Sequence, residues 1–288
     1  MLELAQNIVQ LERADELLEE VIIVNNASTK DYAEVKQFIS DTPSIPFRFI
    51  DSDENLGVAM GRNFALQQGS APYVIMLDDD AVLQNRDALV NLYTAFSTPT
   101  KGRPVAIISF KVLYYDTLEM QVNAFPHKKF ADYSSKEFFL TYYYAGGAHA
   151  IRRDVLEKTG NYPVDFFYGM EEYDLSYRIL DAGYSIVYSN KIVMLHKESP
   201  LGRNTKKEKM AMLWLNKSKV AWRYLPLPYF FSTSFLWSFE YLGKTKFDII
   251  GWFKGWAEIM GIPSTEKRKT IKDSTREYLS SVEARLWY

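Results

Sequence analysis

Four short apolar runs set the frame: Val21–Val24 (VIIV), Phe47–Ile50 (FRFI), Tyr73–Leu77 (YVIML) and Val105–Phe110 (VAIISF). Between them lie segments with helical patterning, from about Asp31 to Ile39, Val58 to Gln68 and Asn85 to Phe96. Strands that follow one another in the same direction need crossover connections, and helices of this length supply them. The alternation predicts an α/β fold, Rossmann-like, with a mostly parallel sheet covered by helices on both faces. Ligands in such sheets sit beyond the carboxyl ends of the strands. Residues that end strands are therefore the candidates for chemistry.

The remainder is less regular. Residues 111–150 are tyrosine-rich and read as strands and loops. Val155–Gly160 reads as the end of a short helix, and Glu171–Ala182 as a longer amphipathic one stopped by Gly183. Two strands follow, Ser185–Tyr188 and Ile192–Leu195, and the pattern then turns helical and basic. Met1–Glu20 reads as one helix without the cationic start or apolar centre of a signal peptide, so a cytoplasmic location is expected.

The absence of cysteine excludes disulfides, zinc–thiolate sites and thiol nucleophiles. Charge is unevenly shared. Residues 1–196 carry 17 Lys+Arg against 27 Asp+Glu, whereas residues 197–288 carry 17 against 9. An acidic main body argues against nucleic-acid binding. The division predicts two units, 1–200 and a basic, aromatic helical extension over 201–288. Within the extension, Tyr224–Gly243 has one charge, Glu240. Pro226 and Pro228 are expected to spoil its first turns, and its aromatics suit an interfacial segment better than a membrane span. Beside the eight Lys/Arg of residues 197–223, this predicts docking on an anionic membrane surface, with core packing or homo-oligomerisation as the alternative.

Asp78-Asp79-Asp80, directly after YVIML, is the sharpest chemical signal. Three adjoining carboxylates repel, and a divalent cation relieves the repulsion, with oxygen ligands suiting Mg²⁺ or Mn²⁺. A solvated helix-capping turn is the plainer reading. Asn25–Lys30 (NNASTK) ends the first strand and could cap a helix or hold a base or ribose. Asn55-Leu56-Gly57 and Gly61-Arg62-Asn63 permit close approach and offer a guanidinium to phosphate. Gly146-Gly147-Ala148 precedes an acidic helix start, Glu171-Glu172-Tyr173-Asp174, which the helix dipole alone would explain. An acid there could also serve as general base. His196 ends the last strand, where a structural role or a metal ligand are both open.

In chain order, VIIVNNAST, NLGVAMGRN, YVIMLDDD, GGAHAIRRDVLEKTG, FFYGMEEYDLSYRILDAGY and the strand ending in His196 resemble a family 2 glycosyltransferase of the GT-A fold, especially its rhamnosyltransferase-like branch. The resemblance implies an inverting, metal-dependent transfer from a UDP- or dTDP-linked sugar to a glycan or lipid-linked acceptor, in cell-surface polysaccharide synthesis. It makes Asp78, Asp80 and His196 metal ligands for Mn²⁺ or Mg²⁺. It assigns donor contact to Asn25, Asn26, Ser28, Asn55, Gly57, Arg62, Asn63, Asp78 and Asp79. Gly146, Gly147, Glu171 and Asp174 fall on the acceptor side, and Glu172 is the general base. Nothing before Glu20 matches the strand and nucleotide-holding loop that open such proteins, which implies a sheet without its central first strand. A catalytically inactive binding or assembly partner is the alternative. A phosphatase of the haloacid dehalogenase type, suggested by LDDDAVL, would need that loop on its first core strand, whereas two strands precede it here.

Overall fold

The computed structural model describes residues 1–98, 100, 102–197 and 205–287. The expected first helix is two pieces, α1 (Leu2–Val9) and α2 (Ala14–Leu17). Arg13 takes a left-handed conformation between them, which turns Leu11 and Ala14 into the core.

β1 (Val21–Asn25), α3 (Ala33–Ser40) and β2 (Phe47–Asp51) form a parallel unit with Val21 opposite Phe47 and Asn25 opposite Asp51. Then come α4 (Gly57–Gln67), β3 (Tyr73–Leu77), β4 (Ala81–Leu83), α5 (Ala88–Ser97) and β5 (Val105–Tyr114). α6 (Phe130–Tyr133), β6 (Phe138–Thr141), β7 (Ala148–Arg152), α7 (Arg153–Thr159), α8 (Glu171–Asp181) and β8 (Ser185–His196) complete the α/β part. The larger sheet has the order β3-β7-β5-β8-β4, with β6 also paired to β8. β5 and β8 are parallel, and β3 shares their direction because β7 runs against both β3 and β5. β3, β5 and β8 thus run one way, while β4, β6 and β7 run the other.

Two boundaries differ from expectation. The two predicted strands after Gly183 are one, β8, with a register shift opposite Phe110 and Lys111 that absorbs Asn190–Ile192. α5 starts at Ala88 because Asn85 is tied to β8: its side chain donates to Lys191 O at 3.0 Å and accepts from Val193 N at 3.0 Å.

Four helices close the chain: α9 (Lys206–Tyr224), α10 (Leu227–Lys244), α11 (Ile249–Thr265) and α12 (Asp273–Ser281). The expected division at 200/201 lies outside the described residues. Thr205 and Glu208 form a capping box that starts α9. Pro226 and Pro228 open α10 instead of spoiling it, because a first turn needs no donors from them. No described helix is long and apolar enough to cross a membrane. Trp214, Tyr224, Ile259 and Leu279 share one apolar core with Leu175 and Ile179 of α8, so the helices are built into the body.

Candidate active site

Strand ends and the start of α8 converge on one cleft. Asp78 follows β3, and Asp80 precedes β4, whose pairing with β8 puts Ala81 opposite His196. His196 Nε2 lies 3.3 Å from Asp80 Oδ1, and one ligand atom from each of Asp78, Asp80 and His196 falls within 4.8 Å of the other two. The other ring nitrogen, Nδ1, is 3.1 Å from Gln121 Oε1, which fixes the ring's orientation as outer partners of metal-binding histidines do. Two carboxylates and an imidazole suit Mn²⁺ or Mg²⁺. Burial pushes the Asp78 carboxyl up, Arg62 opposes this, and Asp80 adds to it. Asp78 is crowded by protein yet keeps a face open to the cleft, so solvent weakens that push.

The acidic helix start is organised by Arg62. Its Nη1 lies 3.1 Å from Glu171 Oε1 and 3.0 Å from Glu172 Oε1. Burial alone would lower the Arg62 guanidinium, but Glu172 and Glu171 outweigh it and keep it charged. The two acids differ in setting. Glu171 is 2% exposed, with Oε2 lacking a hydrogen-bond partner, and burial followed by the Glu172 charge pushes its carboxyl up. Glu172 is 17% exposed. Gly146 and Gly147 lie between this pair and the aspartates: a Cβ on Gly146 would displace Glu172 Oε1, and one on Gly147 the Asp78 carboxylate. Gly57, at φ +72°, lies so close to Phe167 O that a side chain would collide.

Other predicted contacts are committed within the protein. Asn25 Nδ2 donates to Asp51 Oδ1 at 2.8 Å, and its Oδ1 accepts from Ser28 N at 2.8 Å, which shapes the loop after β1. Asn26 ties that loop to the next, donating to Asn55 Oδ1 and Gly57 O and accepting from Leu56 N. Asn63, expected at the donor, is buried and exchanges two hydrogen bonds with the Tyr162 backbone, at 2.9 and 3.0 Å. Asp174, expected on the acceptor side, is buried at the α8–α9 junction. It accepts from Arg178 Nε, Arg223 Nη1 and Tyr224 OH, each at 2.9 Å. A carboxylate this close to three donors is a structural clamp. Asn26, Ser28, Asn55, Gly57, Arg62, Asp78, Asp79 and Gly146 all line a cavity of about 1510 Å³. Tyr168, Lys197 and Lys209 line it too. Their sequence context gave no sign of this, since they come from loop and helix segments far along the chain from the aspartates.

The model of the family described as Glycosyl transferase family 2 matches residues 2–160. An uncharacterized protein of Haemophilus influenzae is 31% identical over 147 residues, 51% of this chain and 77% of its own length. The O-antigen chain rhamnosyltransferase RfbN of Salmonella typhimurium is 26% identical over 206 residues, 67% of this chain and 62% of the relative. Among solved structures, the mannosyltransferase PcManGT from Pyrobaculum calidifontis, in complex with GDP-Man and Mn²⁺, superposes with TM-score 0.60 at 19% identity, covering 98% of this chain and 75% of that one. TarS 1–349 of S. aureus, in complex with UDP-GlcNAc, gives 0.59 at 13% identity, covering 90% and 76%. The fold is GT-A. With the family match spanning more than half of its length, the chain belongs to glycosyl transferase family 2.

Proposed function

We propose that the chain is an inverting, metal-dependent glycosyltransferase that moves a sugar from a nucleoside-diphosphate sugar to a glycan or lipid-linked acceptor. The observation that carries this is the Asp78–Asp80–His196 cluster facing Arg62, Glu171 and Glu172 across Gly146 and Gly147. A bound Mn²⁺ or Mg²⁺ would supply charge stabilisation at the leaving diphosphate. Asp78, Asp80 and His196 would hold it, with Gln121 steadying the histidine.

Glu172 is the better of the two candidate bases. Glu171 is buried and pushed toward its neutral form, whereas Glu172 keeps access to the cleft. In a single displacement the acceptor oxygen bonds to the anomeric carbon, the bond from that carbon to the diphosphate oxygen breaks, and Glu172 takes the acceptor's proton. Arg62 holds Glu172 meanwhile and must yield part of that contact as the acceptor hydroxyl arrives.

The nucleotide is tested directly by thermal shift with UDP, dTDP and GDP, each with and without Mn²⁺; GDP is included because PcManGT was solved with GDP-Man. One nucleotide at a hundred times its Kd should add about 2.7 kcal/mol, and only with metal. Asp80→Ala should erase that shift. Glu172→Gln should keep it and lose turnover. Retained turnover would sink the base assignment.

The same reading places the enzyme at a cytoplasmic membrane face. Phe231, Phe235 and Phe239 of α10 and Ile250 and Phe253 of α11 are exposed, with Lys244, Lys246 and Lys254 nearby. An exposed aromatic stripe beside cations suits an anionic leaflet, where lipid-linked acceptors lie. Flotation with anionic vesicles at low salt tests it, and failure to float excludes it.

A further inference from the structure

Asn216 and Lys217 are neighbours in α9 and differ in what they touch. Asn216 is buried, and its Nδ2 donates to Tyr168 O at 3.1 Å and to Gly169 O at 3.0 Å. These bonds pin this turn of α9 to the segment that leads into Glu171 and Glu172. One turn earlier, Leu213 fills the space beside Gly169, where a Cβ would meet its Cδ2. Lys217 is half-buried among rings instead. Its Nζ lies 5.5 Å from the centre of the Tyr173 ring and 4.9 Å from that of Trp237. Tyr143 stacks on Tyr173, with ring centres 4.9 Å apart and planes 13° from parallel. Lys219, two residues on, pairs with Asp165 and Glu266. Among the described residues no carboxylate pairs with Lys217.

An ammonium drawn into protein without a counter-ion is costly. Burial pushes Lys217 down to about 8 from its usual 10.5, and the charge of Arg285 adds to the push. Ring faces offset part of that cost, and an anion would offset more. The place is as specific as the charge. Tyr173 follows Glu172 on α8, within electrostatic reach of its carboxylate, and Tyr143 lies just before the Gly146-Gly147 loop. Trp237 belongs to α10, where Phe235, Leu236 and Phe239 beside it are exposed. Tyr143, Tyr173, Lys217 and Trp237 each keep part of their surface open. From the base outward, the order is Glu172, the stacked tyrosines, Lys217 and the apolar face of α10. A ligand that matches it has a hydroxyl-bearing ring, then an anionic link, then an apolar chain.

We propose that Lys217, walled by Tyr143, Tyr173 and Trp237, binds the phosphate that joins an acceptor sugar to its lipid, with the chain leaving along the exposed face of α10. The role as an acceptor site rests on the glycosyltransferase reading; the binding of a phosphate ester stands apart from it.

The test is calorimetric titration of the full chain, without metal or nucleotide, with hexyl phosphate. Inorganic phosphate, hexanoate and hexanol are the comparison probes. Hexyl phosphate should bind, and Lys217→Met should weaken it roughly tenfold or more, because a charge-assisted contact is lost. Lys217→Arg should retain most of the affinity. No binding, or binding unchanged in Lys217→Met, overturns the proposal. Equal binding of hexanoate overturns the choice of phosphate, and equal binding of inorganic phosphate overturns the lipid link. Equal binding of hexanol means apolar packing alone and overturns both. Amine labelling of the unsubstituted chain reads the site without a variant. Hexyl phosphate should slow modification of Lys217 and not of the exposed Lys254, and failure to protect Lys217 overturns the proposal. Mn²⁺-dependent nucleotide binding is measured separately and should be the same in Lys217→Met. Its absence from a chain that still binds hexyl phosphate overturns the acceptor role and leaves the phosphate site standing.

Discussion

β5 and β3 are built from similar residues and live in different surroundings. VAIISF in β5 has β7 on one edge and β8 on the other, and all six residues are buried. Among the described residues YVIML in β3 has β7 alone, and none of its five is fully buried. β1, VIIVN, repeats the pattern of β3, with β2 its one partner among the described residues. The difference shows that burial here follows strand partners and not side-chain hydrophobicity. The sheet around β5 is closed on both edges; β1 and β3, which line the cavity, are each paired on one edge among the described residues.

The sharpest probe of that contrast is truncation on each side. Ile108→Ala, in β5, should lower stability by about 3–4 kcal/mol, within the usual range for a buried large-to-small change. Ile75→Ala, in β3, borders an existing void and should cost about 1 kcal/mol, because fewer packed neighbours are lost. Urea midpoints decide it, and equal costs would break the contrast.

Next in size is the clamp that binds the helices to the closed half. Arg223→Ala leaves the Asp174 carboxylate short of a charged partner in a buried place, at a cost of about 3 kcal/mol. Restoring the loss with Asp174→Asn in the same chain would identify the uncompensated charge as its source.

Acid should act on the closed half as well. His149, in β7 opposite Ser109 of β5, is buried between Ala145 O and Tyr162 OH. Burial, with Arg62 adding to it, lowers the imidazole to about 3 from 6.5. The unfolded chain takes up that proton first, so this contribution is complete above about pH 6.5 and shrinks as pH falls toward 3. A loss of order 3 kcal/mol by pH 4 is expected. His149→Gln should flatten that part of the stability profile.

The smallest expected effect lies on the outer helices. Phe235→Ser removes an exposed ring and should change stability by less than about 0.5 kcal/mol. Vesicle flotation should fall all the same. A large loss of stability would mean that the ring is packed and not presented.

Much of this was readable from the chain alone. The runs VIIV, FRFI, YVIML and VAIISF are strands because β-branched and aromatic residues in short stretches between helical segments leave little else. Asp78 and Asp80 were legible as a pair because they end a strand, and His196 because it ends another. Long-range order was less accessible. Nothing local says that β7 runs backward between β3 and β5, since that depends on partners 79 and 44 residues away in the chain, as in Tyr73–Arg152 and Ile107–Ile151 pairing. Asn63 and Asp174 looked like site residues because their types and neighbours fit. Only the fold reveals that Tyr162 and Arg223 have already engaged them. Gln121 gave no signal, as a lone glutamine in a tyrosine-rich stretch never does.

The Arg223 clamp bears on how the chain can be divided. Asp174 sits one turn into the helix that begins with Glu171 and Glu172, and Arg223 and Tyr224 hold it from the end of α9. Arg223 is itself gripped by Glu266 at the end of α11. The last third is therefore no interchangeable module. A chimera that grafts foreign helices onto the first two-thirds inherits the acids but loses the brace that aims them, so cut points for engineering belong in surface loops and not at the join before α9.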